Sequence, residues 1–129
     1  MRQTYVDAID EHSPFYRQLR MALKDAGVTL VDSPGEASAI LSIRVDDTGQ
    51  RVLSVSARNV PTEYEVFYSV EYSIAAGENV LMDAQDVTLT RDYTYDTRLV
   101  LGKAREEQML REALAQDLVR IVLKQVSSL

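Results

Sequence analysis

Leu41, Ile43 and Val45 alternate with Ser42, Arg44 and Asp46, the period-two spacing of a strand with one buried and one wet face. A second alternating run puts Leu53, Val55 and Ala57 on one side and Ser54, Ser56 and Arg58 on the other. Asp47-Thr48-Gly49 lies between them as a candidate break, so the two runs read either as one long bent strand or as a hairpin. The clearest strand spans Tyr64 to Ile74. There Tyr64, Val66, Tyr68, Val70, Tyr72 and Ile74 share one face, and Glu65, Ser69, Glu71 and Ser73 share the other, with Phe67 as the exception on the polar side. Gly77-Glu78-Asn79 then reads as a hairpin turn into a strand from about Val80 to Thr90. These elements predict an antiparallel meander with one packed and one solvated face.

Helical spacing brackets this meander. After a short alternating strand over Thr4 to Ile9, Ser13-Pro14 supplies an N-cap hydroxyl and a proline at the first helical position, where its missing N–H costs nothing. Phe15, Leu19, Ala22, Leu23 and Ala26 follow on one stripe and Gly27 supplies the stop, which predicts a helix near Ser13 to Ala26. Ser33-Pro34-Gly35 is a turn. Leu110, Ala113, Leu114, Leu118, Ile121 and Val122 form the stripe of a last helix near Lys103 to Val126, with Arg105, Glu112, Gln116 and Arg120 off it. Strand, helix, strands, helix predicts the α+β class. The expected architecture is a two-layer sandwich, two helices packed on one face of a mixed, mostly antiparallel sheet of about four strands. If the first strand, helix and next strand form a parallel unit, its crossover is expected to be right-handed.

Composition narrows the functions. The chain has 129 residues, 46% of them hydrophobic, which suits one globular domain over 1–129. Its net charge of -6 argues against nucleic acid as a partner and against general attraction to an anionic membrane surface, so an anionic ligand requires a local basic site. The absence of cysteine removes disulfides and thiolate metal sites. No run of about 18 apolar residues and no charged-then-apolar leader occurs.

Candidate chemistry is sparse. The single histidine, His12, stands beside Glu11 ahead of a helix cap and reads as solvated. No serine sits in a Gly-x-Ser-x-Gly elbow, and the five glycines are too scattered to cradle a phosphate. Asp46-Asp47 and Glu106-Glu107 read as solvated surface charge, and Tyr64, Tyr68 and Tyr72 as a core-facing row. No catalytic residue, metal ligand or cofactor is expected. The stretch "TRDYTYDTRLVLGK" concentrates Arg91, Arg98 and Lys103 between a strand and a helix, which reads as a contact surface. The local alternatives there are that Arg91-Asp92 and Asp96-Arg98 neutralise each other and that Lys103 pairs with Glu107.

The run Arg58-Asn59-Val60-Pro61-Thr62-Glu63-Tyr64, the tyrosine-valine strand, "LTRDYTYD" and "VLGKAREEQMLREAL" resemble the lipopolysaccharide-assembly lipoprotein family (LptE, formerly rare lipoprotein B). The resemblance extends from "TYVDAIDEHSPFYRQLRMALKDAGVTLV" to the final helix. It implies a non-enzymatic outer-membrane lipoprotein, facing the periplasm, that plugs the β-barrel of the partner LptD and binds lipopolysaccharide on its way to the cell surface. It also implies ligand-binding roles for Arg58, in the loop before the central strand, and for Lys103, at the start of the last helix. Arginine grips phosphate in bidentate fashion and lysine acts as a point charge. Against the family pattern, the leader, the lipid-bearing cysteine and the C-terminal tail are absent from this sequence. The membrane link is therefore expected through an N-terminal lipid anchor that these residues do not include.

Two readings of other classes stand beside this one. A periplasmic adaptor domain would bind only protein and lack lipopolysaccharide affinity, so salt-sensitive lipopolysaccharide binding separates it from the first reading. A small enzyme would need a pocket of convergent, perturbed carboxylates.

Overall fold

Ser13 starts the first helix as its sequence position predicts. Its side-chain oxygen accepts the Tyr16 N–H at 2.9 Å while Pro14 takes the first helical position. The helix stops where Gly27 adopts φ 88°, and two closing bonds of 3.0 Å run from Gly27 N–H to the Lys24 carbonyl and from Val28 N–H to the Leu23 carbonyl. A computed structural model describes residues 2–58, 61–94 and 100–129, with side chains for all of these except 61–62 and 100–103. Its elements are β1 (Gln3–Ala8), α1 (Pro14–Asp25), β2 (Thr29–Leu30), a 3-10 turn (Pro34–Glu36), β3 (Ala39–Val55), β4 (Pro61–Ala76), β5 (Asn79–Thr94) and α2 (Val100–Val126).

The sheet order is β2-β1-β3-β4-β5. β1 lies parallel to β2 and β3, whereas β3, β4 and β5 form the antiparallel meander. The class and layering match the sequence expectation; the sheet has five strands where about four were expected. The addition is β2, whose two residues are too few to carry a periodic signal and which forms because Gln3 and Thr4 stand opposite Thr29 and Leu30.

One core joins the layers. Phe15, Leu19 and Leu23 of α1, Leu114, Ala115, Leu118, Val119 and Val122 of α2, and the Tyr64 to Ile74 face of β4 form a single buried cluster, so both helices cover the same face of the sheet. The helices also meet directly: Arg17 pairs with Glu112 at 3.2 Å, and the Gln18 amide donates to the Glu112 carbonyl at 3.1 Å. The α2 stripe is rotated from its expected position. Ala115 and Val119 are buried while Ala113 and Ile121 are only partly so, because contact with α1 as well as the sheet widens and turns the buried sector.

The two alternating runs belong to one strand, β3, as far as Val55; Ser56, Ala57 and Arg58 of the second run lie beyond its end, with Ala57 and Arg58 in a turn. A register shift between Ile43 and Val45 is what the sequence pattern does not reveal. Before it, Ala39, Leu41 and Ile43 face the core; after it, Asp46 stands opposite Val70 and Thr48 opposite Tyr68, while Val45 stands opposite Glu71 on the open face. The expected alternation is thereby inverted: Val45 is 38% exposed and Asp46 turns inward.

Candidate functional site

The inward turn of Asp46 builds a polar knot at the start of α1. Its carboxylate accepts the Tyr68 hydroxyl at 2.7 Å and also the Ser13 hydroxyl, while the Tyr68 oxygen accepts the Phe15 N–H at 3.2 Å. Desolvation raises the Asp46 pKa above the ordinary carboxylate value, against the pull of the two donated hydrogen bonds. Burial, then the bond to Asp46, raises that of Tyr68. The reading of Asp46-Asp47 as paired solvated charge is thus corrected for Asp46, which holds the helix-capping Ser13 through its hydroxyl; Asp47 is exposed as expected. The tyrosine row is core, as expected, with Tyr68 and Tyr72 fully buried. His12 lies exposed in the turn, its N–H bonded to the Asp10 carboxylate at 2.8 Å.

At the opposite end of β4 the ladder places Tyr64 against Tyr93, and their rings stack at 5.3 Å. The Tyr93 hydroxyl donates to Glu107 of α2 at 2.7 Å and lies 3.0 Å from the Gln50 side chain of β3. Desolvation, then Glu107, raises the Tyr93 pKa. This contact fixes the start of α2 over the far end of the hairpin. Beside Tyr93 a cavity of about 220 Å³ is lined, among the described residues, by Glu63, Asp92, Tyr93 and Thr94, whose carboxylates disfavour an anion.

Arg58 lies just beyond β3 at this same end, exposed in a turn, with its N–H 3.3 Å from the Ser56 hydroxyl oxygen. Other arginines are committed: Arg44 to Asp7 at 3.1 Å, Arg51 to Glu65 at 3.3 Å and Arg91 to Asp117 at 3.0 Å. Among the described residues the Arg58 guanidinium has no such ion pair. Lys103 belongs to the first turn of α2, one helical turn before Glu107, and its side chain lies outside the described residues. Glu107 itself bonds Tyr93 and pairs with Arg111 at 3.8 Å. The fold therefore brings the backbone positions of Arg58 and Lys103 to one end of the molecule. The expected Arg91-Asp92 neutralisation is replaced by the Arg91 pair with Asp117, since adjacent strand residues point to opposite faces. Arg98 and Asp96 lie outside the described residues.

The face that alternation assigns to Leu53 and Val55 is not buried: they are 47% and 53% exposed at the end of β3, as is Val52 at 53%, which alternation does not single out. Two further register shifts, between Val52 and Ser54 and between Ser54 and Val55, break the pattern there. Among the described residues no group of three or more His, Asp or Glu side chains is arranged to hold a metal, and no helix is long and apolar enough to cross a membrane.

Comparison with known proteins places this geometry. The family model described as LptE, lipopolysaccharide-assembly, matches residues 1–126. Rare lipoprotein B from Shewanella oneidensis shares 26% identity and superposes with a TM-score of 0.82, over 98% of this chain and 94% of that one. An uncharacterized lipoprotein B from Nitrosomonas europaea is 26% identical with a TM-score of 0.83, over 98% and 83% of the respective chains. A minor lipoprotein from Acinetobacter baumannii shares the fold at 20% identity and a TM-score of 0.80, over 98% and 91% of the two chains. No curated protein sequence matches significantly.

Proposed function

The chain belongs to the LptE family of lipopolysaccharide-assembly proteins, and from that premise we propose that it is a non-enzymatic outer-membrane lipoprotein that plugs the LptD barrel from the periplasmic face and binds lipopolysaccharide in transit. The observation that carries this reading is the family match over residues 1–126, in which both candidate cations fall. In this proposal Arg58 grips a phosphate of the lipid headgroup through its guanidinium and Lys103 adds a second point charge. The exposure of Arg58 and its lack of an ion pair among the described residues support that role, because no internal partner has to be displaced. The local cation also meets the objection raised by the net charge of -6, since screening confines the repulsion of distant carboxylates to about 8 Å in physiological salt. The hydrophilic open face of the sheet suits the largely polar lumen of a barrel.

Co-purification of the lipoprotein with LptD, alongside a direct lipopolysaccharide titration, tests both halves. The expected result is a stable complex with the barrel and saturable lipopolysaccharide binding. Barrel binding without lipopolysaccharide affinity would favour the adaptor reading.

A further inference from the structure

We propose that Val52, Leu53 and Val55 at the tip of β3 form an apolar subsite that takes acyl chains of the lipid whose phosphate is held at Arg58. This rests on the reading of the chain as a lipopolysaccharide-binding protein and adds to it the place where the hydrocarbon lies.

Val52 stands opposite Tyr64 at the margin of the core. Gln50 is tied to the Tyr93 and Glu107 knot, and beyond it Val52, Leu53 and Val55 are each about half exposed. In a regular strand Val52 and Leu53 point to opposite faces, and the helix-covered face should bury one of them. Neither is buried, and two register shifts fall within this segment. Single exposed aliphatic residues are ordinary, but three within four positions concentrate unburied apolar surface at this end of the strand.

Charge selects the occupant. Arg58 follows Val55 by three residues and has no ion pair among the described residues, whereas Arg51, on the other side of the apolar segment, is held by Glu65 and lies over the Phe67 ring at 4.5 Å. Among the described residues the cavity beside Tyr93 is lined by Glu63 and Asp92, whose carboxylates disfavour an anion. An apolar edge with one uncommitted guanidinium at its end fits a phosphate that carries hydrocarbon, since each end of such a molecule meets its own kind of surface.

The test compares purified lipopolysaccharide with the same material fully deacylated but still phosphorylated, bound to the whole chain and to the triple variant Val52→Thr, Leu53→Gln, Val55→Thr. The replacements keep strand-compatible residues at exposed positions, and Leu53→Gln alone serves if the triple variant does not fold. The expected result is that the triple variant binds intact lipopolysaccharide roughly tenfold more weakly or worse, falling to the affinity of the deacylated form, whose own binding is unchanged. Arg58→Ala should weaken both forms. Unchanged binding of intact lipopolysaccharide by a folded variant overturns the subsite and leaves the lipopolysaccharide reading standing. Equal loss for both forms also overturns it, as does loss of LptD binding with lipid binding intact, which would make the tip a protein contact. If the unmodified chain binds neither form, the lipopolysaccharide reading itself fails and the subsite with it.

Discussion

The Tyr68 hydroxyl donates to the Asp46 carboxylate at 2.7 Å across the β3–β4 pair, and through it the sheet holds the first turn of α1. The same hydroxyl oxygen accepts the Phe15 N–H, and the same carboxylate accepts the Ser13 hydroxyl, so a strand bulge and a helix cap are one structure. Four expectations follow from this arrangement and from the end of the molecule opposite it.

Asp46→Ala removes the acceptor of both hydroxyls and should destabilise the chain by about 1–3 kcal/mol, read from denaturant unfolding. Asp46→Asn keeps the size and one acceptor and should cost less. The folded-state pKa of Asp46 is raised, so the carboxyl's contribution to stability is fully present below its unfolded value and is lost as pH rises through the folded one. The melting temperature of the unmodified chain should therefore rise relative to Asp46→Asn as pH falls from neutral toward about 4. A constant gap between the two across that range would show that the carboxyl does not titrate as its burial demands.

Tyr68→Phe should cost about 1–3 kcal/mol, since it strands both the Phe15 N–H and an Asp46 oxygen. Combined with Asp46→Asn it should be less than additive, with a coupling of about 0.5–3 kcal/mol. Additive losses in the double-mutant cycle would refute a shared network.

Leu118 is fully buried between α2 and the sheet, and Leu118→Ala should cost about 2–5 kcal/mol. Met109 is 65% exposed on the same helix, and Met109→Ala should change stability by less than about 0.5 kcal/mol. Urea melts of the two variants should bracket this difference in a single cooperative transition.

Reversing charge at Arg58 and Lys103 together should weaken lipopolysaccharide binding while leaving circular dichroism unchanged. Each lost charge-assisted bond is expected to cost about 1.5–3 kcal/mol if desolvated and less at a wet surface. Raising salt should weaken binding by the unmodified chain more than by the variant. Intact binding by a folded double variant would move the ligand site elsewhere.

Periodicity reports what each segment does with its own neighbours, and on that level the chain was legible. The cap at Ser13-Pro14, the Gly27 stop, the Tyr64 to Ile74 core face and the α+β order all follow from short-range spacing, because one amphipathic face per element leaves few ways to close a core. The two-residue β2 lay below the length at which a pattern exists. The shift at Ile43 and Val45 depends on which β4 residue stands opposite, so it could not be read from β3, and it turns Asp46 from apparent surface charge into the acceptor that holds the Ser13 helix cap. The partner of Arg91 was hidden for a related reason: Asp117 is 26 residues away and meets it only when α2 lies over β5. Arg58 and Lys103 were singled out by family resemblance, since an exposed cation has no local spacing that distinguishes a ligand contact from a solvated charge. The sequence by itself determined the longer elements, the buried faces of α1 and β4, and the family resemblance. Only the tertiary structure decided the β3 register and the partners of Asp46 and Arg91, because these depend on where separate elements meet one another and not on the pattern within any of them.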